Sequence, residues 1–260
     1  MNIEQMINEA KLWVKEVGKK QLEGAREGNF NIEKKTSKVD LVTAIDNLSE
    51  QLIIDKIEKN YPEHSILAEE QGAKYKDSDY KWIIDPLDGT NNYANGYPFY
   101  GISIAIQYRQ KIKAGLVYMP YLNEIFYAVK NKGAYLNDKK LNVSNCNKVE
   151  DALLATGFPY DKLTSRINNL NHFKTMVMKA RGIRRSGSAA YDLANVAAGR
   201  LDGFWEFKLK PWDTAAGKLM IKEAGGKVID KIYMGAPIII AGNEIITNQL
   251  LKIIKNVKID

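Results

Sequence analysis

Two aspartates, Asp85 and Asp88, end a run of apolar residues in the stretch WIIDPLDGTNNY at positions 82–93. Carboxylates placed this close together in a buried segment repel each other unless a positive group lies between them. The same residues also fit a simple turn after a strand, because proline and the Asp-Gly pair are common turn signals. The stretch by itself leaves both interpretations open.

Three further acids, Asp46, Glu69 and Asp213, stand at the ends of predicted elements. Asp46 and Asp213 could each be a helix N-cap, and Glu69 could form a solvated loop pair with Glu70. If these ends converge with the two aspartates, the gathered carboxylates need a cation. Oxygen ligands without histidine or cysteine select Mg²⁺ or Mn²⁺ over Zn²⁺. The acids together therefore indicate a magnesium-type site.

The sequence has few residues or motifs suited to other hydrolytic or redox chemistries. The only histidines are His64, expected in a surface turn, and His172, in a polar stretch, so neither a Ser/His/Asp triad nor a zinc hydrolase is favoured. Cys146 is the single cysteine, which excludes intramolecular disulfides and cysteine zinc clusters. Neither GxxxxGK[ST] nor GxGxxG is present.

The size and composition are typical of a globular protein that folds around a large core. The chain has 260 residues, 45% of them hydrophobic and 27% charged, with a formal net charge of +7. Its lysines are scattered, so the charge pattern does not favour nucleic-acid binding. The pattern is compatible with a weak positive electrostatic field that attracts phosphorylated metabolites. The N-terminus does not resemble a signal peptide, and no apolar run approaches the roughly 20 residues of a membrane span. We expect a cytoplasmic protein that is not membrane-bound.

The first half of the chain predicts helices followed by strands. Apolar residues at helical spacing begin at Ile3 and predict a helix that Gly24 and Gly28 terminate. A second helix is predicted from near Asp46 to just before Pro62. SILAEE predicts a short buried strand, and YKWIID, GISIAIQY, IKAGLVYM and EIFYAVK predict an antiparallel meander.

The pattern changes after about residue 145 to an alternation of strands and helices. ALLATGF, LDGFWEF and APIIIAG predict strands, and helices are predicted at 163–180, in SAAYDLANVAAG up to Gly199, in TAAGKLMIKEAGG and in NEIITNQLLKIIKN. The sequence thus predicts a mixed α+β and α/β fold. Its two expected lobes are an α+β lobe at 1–145 with most metal ligands and an α/β lobe at 146–260 that determines substrate specificity.

Four segments, LVTAID, LAEE, WIIDPLDGTNNY and PWDTAAGKLMIKEAGG, follow one another in an order and spacing that resemble the inositol monophosphatase family across nearly the whole chain. A highly specific combination is formed by DPLDGT, the later WDTAAG and EAGG, and the upstream glutamate pair. The resemblance implies a layered αβαβα sandwich of the inositol monophosphatase and fructose-1,6-bisphosphatase type. It also implies a homodimer and inhibition by lithium.

The resemblance assigns metal ligands to matching positions. Glu69, Asp85 and the backbone carbonyl of Leu87 would hold a first Mg²⁺, and Asp85, Asp88 and Asp213 a second. Glu69 would also lie near a third, weaker ion, and Mn²⁺ is a possible substitute for Mg²⁺. These ions would explain why the two aspartates of the opening motif tolerate each other.

Catalytic roles follow from the same resemblance. Asp46 and Thr90 would orient and deprotonate the attacking water, with Glu69 as a further catalytic carboxylate. The backbone N–H groups of Gly89 and Thr90, at the opening of a short helix, would receive the phosphate. The reaction would be attack by a metal-activated water without a covalent intermediate.

Substrate contacts are implied mainly in the second lobe. Gly187, Ser188 and Ala189 match residues that line the pocket, and Glu206 matches a glutamate that binds substrate hydroxyls, although it could also be a surface charge at a strand end. The complete set of implied substrate-binding residues is Asp88, Gly89, Thr90, Gly187, Ser188, Ala189, Glu206 and Asp213. Arg184 and Arg185 could meet phosphate or could simply be exposed, and Lys35 matches a lysine near a mobile metal loop.

The predicted function is a Mg²⁺-dependent phosphomonoesterase that converts inositol 1-phosphate to myo-inositol and phosphate, with a small phosphorylated sugar or polyol as substrate. Relatives with the same skeleton act on fructose 1,6-bisphosphate, histidinol phosphate or 3'-phosphoadenosine 5'-phosphate, and these substrates remain alternatives. An alternative of a different class is a non-catalytic regulator that binds RNA or a partner protein.

Overall fold

The computed structural model describes residues 2–27, 33–34 and 41–258. Lys35 lies outside the described residues. In chain order the first elements are α1 (Ile3–Glu27), β1 (Glu33–Lys34), β2 (Leu41–Val42), α2 (Ala44–Asn60), β3 (Ser65–Ala68), β4 (Ala73–Lys74), β5 (Tyr80–Asp88), α3 (Thr90–Ala94), β6 (Gly101–Tyr108), β7 (Lys111–Met119), β8 (Glu124–Val129), β9 (Gly133–Leu136) and β10 (Lys139–Lys140).

Within this described part, strands β3 to β10 form one eight-stranded sheet in the order β10-β9-β8-β7-β6-β5-β3-β4. The predicted meander is confirmed, because β5, β6, β7 and β8 pair antiparallel in succession. Short turns join β6 to β7 and β7 to β8, whereas α3 lies in the connection between β5 and β6. β3 pairs parallel with β5. The ends of these two strands, where Glu69 and Asp85 stand, therefore meet at the same edge of the sheet.

The remaining elements form a smaller sheet and its helices. They are a 3₁₀ turn (Val149–Asp151), β11 (Leu153–Thr156), α4 (Leu170–Val177), β12 (Gly182–Arg184), α5 (Ala189–Ala197), β13 (Gly203–Phe207), α6 (Pro211–Glu223), β14 (Lys227–Tyr233), β15 (Ala236–Gly242) and α7 (Glu244–Lys255). The described strands pair in the order β12-β11-β13-β15-β14. β11 is parallel to both of its neighbours, and the other pairs are antiparallel.

The apolar faces of these elements stack into layers. On β5, Trp82 and Ile84 pack with α1 and α2, whereas Ile83 packs on the opposite side with α5 and α6. The other face of the α5 and α6 layer covers the smaller sheet through Phe204 and Ala241, and α7 covers that sheet's far side. Burial on both faces explains the continuous apolar run of β5. The αβαβα sandwich that the resemblance implied is confirmed.

A close approach ties α6 to the eight-stranded sheet. A Cβ atom added to Gly115 of β7 would lie 2.7 Å from the Cα atom of Ala216. Glycine is therefore needed where the helix crosses the strand. The middle helices contact both sheets, and the division into lobes at 1–145 and 146–260 stays a prediction.

Several predicted boundaries were wrong. α1 continues through Gly24 to Glu27, since Gly24 serves a close contact: its added Cβ would lie 2.6 Å from the Tyr93 hydroxyl oxygen. Gly28 lies outside the described residues. The helix predicted at 163–180 is only the eight residues of α4, and β14 was not predicted, because its side chains alternate between exposed and half-buried without a continuous apolar run.

Both histidines are buried, which contradicts the predicted surface turn for His64; His172 was predicted only to lie in a polar stretch. His64 stacks between Tyr61 and Tyr80, and its Nδ1 accepts a hydrogen bond of 3.0 Å from the Trp82 indole. His172 packs against Phe207. Burial disfavours the charged imidazolium and lowers the pKa of both side chains, to about 4 for His172. Aromatic packing therefore explains these histidines without a catalytic role.

None of the helices in the described ranges is both long and apolar enough to cross a membrane.

Candidate active site

The end of β5 carries the central acids of the site. Asp85 and Asp88 are buried, with 2% and 9% of their surface exposed. Pro86 has no N–H to donate to the ladder, and the register between β5 and β6 shifts between Asp85 and Asp88. The Asp85 Oδ1 accepts a 3.0 Å hydrogen bond from the N–H of Leu87. The irregularity lies within the strand, between its two carboxylates, and β5 continues to Asp88.

The N-terminus of α5 receives the carboxylate of Asp88. The Ser188 hydroxyl donates to Asp88 Oδ2 at 2.6 Å, and the N–H groups of Ala190 and Ala189 donate to the same carboxylate at 2.7 and 3.3 Å. Unpaired N–H groups of a first helical turn stabilise a negative charge. The structure thus brings two predicted substrate residues, Ser188 and Ala189, directly to Asp88.

Asp46 and Thr90 also meet, although Asp46 is not the N-cap that its position allowed. Thr43 is the N-cap of α2, and Asp46 occupies the third helical position in a capping box. Its Oδ1 accepts a hydrogen bond of 2.8 Å from the Thr90 hydroxyl, which lies 3.2 Å from the carbonyl oxygen of Leu87. Burial raises the pKa of Asp46 to about 6, and the bonds from Thr43 and Thr90 oppose this rise.

Asp213 reaches the site through the first turn of α6. Lys210 is the N-cap of this helix and donates its N–H to Asp213 at 2.7 Å, so the alternative role of Asp213 as N-cap is wrong. Ser103 lies opposite Asp85 in the β5–β6 ladder, and its hydroxyl donates to the carbonyl of Trp212 at 3.1 Å. This bond anchors the start of α6 beside the end of β5.

Four acids from three segments act on one another in this region: Asp85 and Asp88 of β5, Glu69 after β3 and Asp213 of α6. Burial raises the pKa of Asp85 well above its usual range, and the negative charges of Glu69, Asp88 and Asp213 raise it further. The pKa of Asp213 is raised by burial and then by Asp88 and Glu69. Burial also raises the pKa of Asp88, against the hydrogen bonds from α5. The pKa shifts of Asp85 and Asp213 indicate that these acids lie close enough to repel one another.

In the ranges that the structure describes, no three or more histidine, cysteine, aspartate or glutamate side chains stand in an arrangement that could hold a metal ion. The carboxylates of Asp46, Asp88 and Asp213 accept hydrogen bonds from Thr43, the start of α5 and Lys210. The donor set fits a hard divalent cation, because it consists of carboxylate and carbonyl oxygens without nitrogen or sulfur. A carboxylate has lone pairs beyond those that these bonds use, so the bonds can hold its direction while a cation binds.

Glu206 belongs to the same electrostatic environment and is not a surface charge. It is 8% exposed near the end of β13, and burial raises its pKa, with further increases from Asp192 and Asp213. Arg185 opposes this shift. Gly157 lies directly against the carboxylate and leaves no space for a larger residue. The structure therefore places a buried acceptor beside the acids from the other segments.

Arg184 and Arg185 are exposed and line a cleft of about 240 Å³ next to the loop before α5. The lining residues are Tyr97, Phe99, Arg184, Arg185, Ser186, Tyr191, Asp192, Asn195, Arg200 and Leu201. The cleft shares none of these residues with the predicted metal ligands. A role for the arginine pair in phosphate binding stays a prediction.

Asp192 and Ser103 near the site were not identified from the sequence, and of Asn92 the sequence indicated only that the asparagine pair after DGT favours inositol-type substrates. Asp192 is 4% exposed, and burial raises its pKa to about 8 while interactions with Ser186 lower it. Ser103 anchors α6, and Asn92 contacts the loop before α5. An aspartate inside the small-residue helix SAAYDLANVAAG was an available signal for Asp192. The contacts of Ser103 and Asn92 join distant segments and leave no local pattern.

Comparisons with known proteins bear on the family and the fold of the chain. The family model of the inositol monophosphatase family matches residues 2–257. The putative Nus factor SuhB of Neisseria meningitidis serogroup B is 42% identical over 234 residues, covering 87% of this chain and 90% of the relative. The inositol monophosphatase structure from Anabaena has a TM-score of 0.89 and 35% identity, covering 100% of this chain and 98% of that one.

A second similar structure is that of SaIMPase-II with inositol monophosphate bound. The structure of inositol monophosphatase II from Staphylococcus aureus is also similar. The ligand-bound structure has a TM-score of 0.79 and 26% identity, and the match covers 95% of this chain and 92% of that one. The family match spans almost every residue of the chain, and the fold and the order of the acidic motifs agree with it. The chain belongs to the inositol monophosphatase family.

Proposed function

We propose that the protein is a Mg²⁺-dependent phosphomonoesterase that hydrolyses inositol monophosphate to myo-inositol and phosphate. The observation that carries this proposal is that Asp85 and Asp88 at the end of β5, Asp213 of α6 and Glu69 after β3 lie close enough for their charges to raise the pKa of Asp85 and Asp213. Such a cluster costs free energy unless a cation compensates it. Membership of the family makes phosphate-ester hydrolysis the chemistry that fits.

The ligands proposed for a first Mg²⁺ are Glu69, Asp85 and the carbonyl oxygen of Leu87, and those for a second are Asp85, Asp88 and Asp213. Two ions are the minimum of this proposal, a third weaker ion near Glu69 is compatible with it, and Mn²⁺ is a possible substitute. When bound, the ions lower the pKa of water and neutralise charge on the phosphoryl group and leaving oxygen.

Thr90 and Asp46 are proposed to handle the proton of the attacking water. The Thr90 hydroxyl donates to Asp46 Oδ1 at 2.8 Å, which leaves lone pairs of the hydroxyl oxygen free to accept a proton. A proton arriving at Thr90 displaces the hydroxyl hydrogen to Asp46. Glu69, at the end of β3, is the further carboxylate proposed to act on the water.

The phosphate is proposed to bind at the turn that follows β5. Gly89 has φ +99°, and an added Cβ would lie 2.8 Å from the carbonyl oxygen of Phe99. Only glycine fits this left-handed, closely packed position. The N–H groups of Gly89 and Thr90 lie at the start of α3 and are suited to donate hydrogen bonds to phosphate oxygens.

The polyol is proposed to lie against Glu206 and the loop formed by Gly187, Ser188 and Ala189. Glu206 is a buried acceptor for substrate hydroxyls, and burial strengthens such hydrogen bonds. Fructose 1,6-bisphosphate, histidinol phosphate and 3'-phosphoadenosine 5'-phosphate are the competing substrates within the family. Inositol monophosphate is preferred because a related structure, SaIMPase-II, contains it.

The deciding experiment measures phosphate release from all four substrates with Mg²⁺, with and without Li⁺. We expect fastest turnover with inositol monophosphate and inhibition by lithium. Asp88→Asn should abolish turnover while thermal unfolding stays cooperative, and Asp79→Asn, at the exposed start of the same hairpin, should leave turnover unchanged. Turnover of Asp88→Asn at the normal rate would contradict the proposed metal role.

A second candidate, a regulator that binds RNA or protein, is favoured by one finding: the Neisseria relative is named as a putative Nus factor rather than as a phosphatase. The net charge of +7 is compatible with it. Strongly salt-dependent RNA binding without Mg²⁺-dependent turnover would reverse the preference. We also propose, from family membership, a homodimer in the cytoplasm, which light scattering and cell fractionation would test.

A further inference from the structure

The side chain of Asn92 joins two backbone segments that lie far apart in the sequence. Its Nδ2 donates to the carbonyl oxygen of Phe99 at 2.5 Å and to that of Ser186 at 2.8 Å. A carboxamide has two N–H hydrogens, so both bonds form at once. Asn92 lies in α3, directly after the turn proposed to receive phosphate, and it therefore links this turn to the loop before α5.

The loop is shaped to accept Asn92. Gly187 has φ +87°, and an added Cβ would lie 2.8 Å from Asn92 Oδ1 and 2.9 Å from Nδ2. Both the left-handed backbone and the close approach require glycine at this position. The loop packs directly against the carboxamide, so a change at Asn92 would shift the loop.

From this loop, a short series of hydrogen bonds leads to Asp88. The N–H of Ser188 donates to the Ser186 hydroxyl oxygen at 3.1 Å, which fixes the turn between the two serines. The Ser188 hydroxyl and the N–H of Ala190 then donate to Asp88 Oδ2 at 2.6 and 2.7 Å. The direction of the Asp88 carboxylate thus depends on the position of Ser188.

We propose that Asn92 is a positioning residue: it holds Ser186 and thereby Ser188, which orients the carboxylate of Asp88, without itself touching ion or substrate. This inference rests on the proposed function, because it concerns a residue proposed to bind Mg²⁺. Residues that orient metal ligands typically change metal affinity when they are replaced. A residue that merely supports the fold changes stability alone.

The test is isothermal titration of Mg²⁺ into the full chain in phosphate-free buffer, with thermal unfolding of each variant measured in parallel. We expect Asn92→Ala to weaken Mg²⁺ binding by roughly tenfold or more. Asn92→Asp should weaken it similarly, because the new carboxylate faces two carbonyl oxygens. Asn95→Ala is the matched control, since the Asn95 amide donates to the Asn91 carbonyl in the same helix, and it should leave the affinity unchanged.

A double-mutant cycle identifies the route. If Asn92 acts through Ser188, the pair Asn92→Ala and Ser188→Ala should bind Mg²⁺ about as weakly as Ser188→Ala alone. Independent, multiplying effects would overturn the proposal, and so would normal affinity in a destabilised Asn92→Ala. If Asn92→Ala fails to fold, Asn92→Ser, which keeps one donor, decides by the same criteria. Absence of Mg²⁺ uptake by the unmodified protein would instead reject the proposed function, and this inference with it.

Discussion

Asp46 shows how burial and hydrogen bonding set the working state of one side chain. Its pKa is raised to about 6 by burial, although three hydrogen bonds favour the charged carboxylate. The capping box of α2 holds the side chain, so its other oxygen faces Thr90. A residue with a structural duty at a helix start is thereby available for proton transfer.

The pH dependence of turnover should report this carboxyl. A protonated Asp46 cannot accept the Thr90 proton, so kcat/KM should fall as pH decreases through about 6, or somewhat lower because bound cations favour the ionised form. The measurement is a pH profile of kcat/KM at saturating Mg²⁺. Thr90→Ser, which keeps the hydroxyl, should retain this acid limb. The same limb in the residual activity of Asp46→Asn would contradict the assignment.

At the residue scale, the sequence indicated the acids because their types and order form a specific motif. It could not indicate that Glu206 is buried, or that Ser103 bonds to the backbone of Trp212. Those facts depend on contacts between segments about a hundred residues apart. Asp192 was also missed, because a single aspartate in a helix is ordinarily exposed.

Among the elements, α6 has the most constrained position, because it lies where β7 lacks a side chain. Gly115→Ala should destabilise the protein by about 1–3 kcal/mol, since the new Cβ would lie 2.7 Å from the Ala216 Cα and the helix must move. Urea unfolding measures this change. Gly182→Ala in β12 is the matched control, because its nearest contact would be an ordinary 3.4 Å. Equal effects of the two substitutions would refute the explanation.

Helix α4 buries a histidine whose protonation should weaken the fold. Burial lowers the pKa of His172 to about 4, against about 6.5 in an unfolded chain. Between these values the unfolded state binds more protons, so the free energy of unfolding should decrease as pH falls from 6.5 to 4. Urea unfolding across this range measures the slope. His172→Phe should reduce the slope, and an identical slope in that variant would exclude His172 as its source.

Elements with a strong pattern were predicted well, and those with a weak pattern were not. The meander from β5 to β8 follows from apolar runs separated by turns. The extent of α4 could not be predicted from apolar residues, because Leu163 and Met178, which lie outside this helix, are 90% and 83% exposed. β14 lacks a continuous apolar run, and its pairing with β15 is what makes it a strand.

At the scale of the whole molecule, one helix layer serves two sheets. α5 and α6 follow residue 146 in the chain, yet they cover Ile83, Val117 and Phe126 of the first sheet. The motifs implied the layered sandwich through their family resemblance. Predicting the shared middle layer also requires knowing which apolar faces pack against each other, and the local spacing of residues does not contain that information.

A fragment of residues 1–145 should therefore not behave as an independent folding unit. Without α5 and α6 it would expose a buried apolar sheet face and should aggregate or unfold. Co-expression with residues 146–260 should restore a soluble complex, which affinity purification and circular dichroism would detect. A monomeric 1–145 fragment with a cooperative unfolding transition would show that the first lobe is autonomous.

The positions of the four tryptophans make them separate optical probes. Trp13 and Trp82 lie in one aromatic cluster beneath the outer helices, and Trp205 donates its indole N–H to Asn169 in the smaller sheet. Trp212 is half-buried and adjoins Asp213. The fluorescence emission of Trp212 should change when a cation or anion binds next to it, whereas the emission of the other three tryptophans should not change. A variant that retains Trp212 and lacks the other three tryptophans would report ligand binding as a change in fluorescence, which a fluorimeter follows in real time.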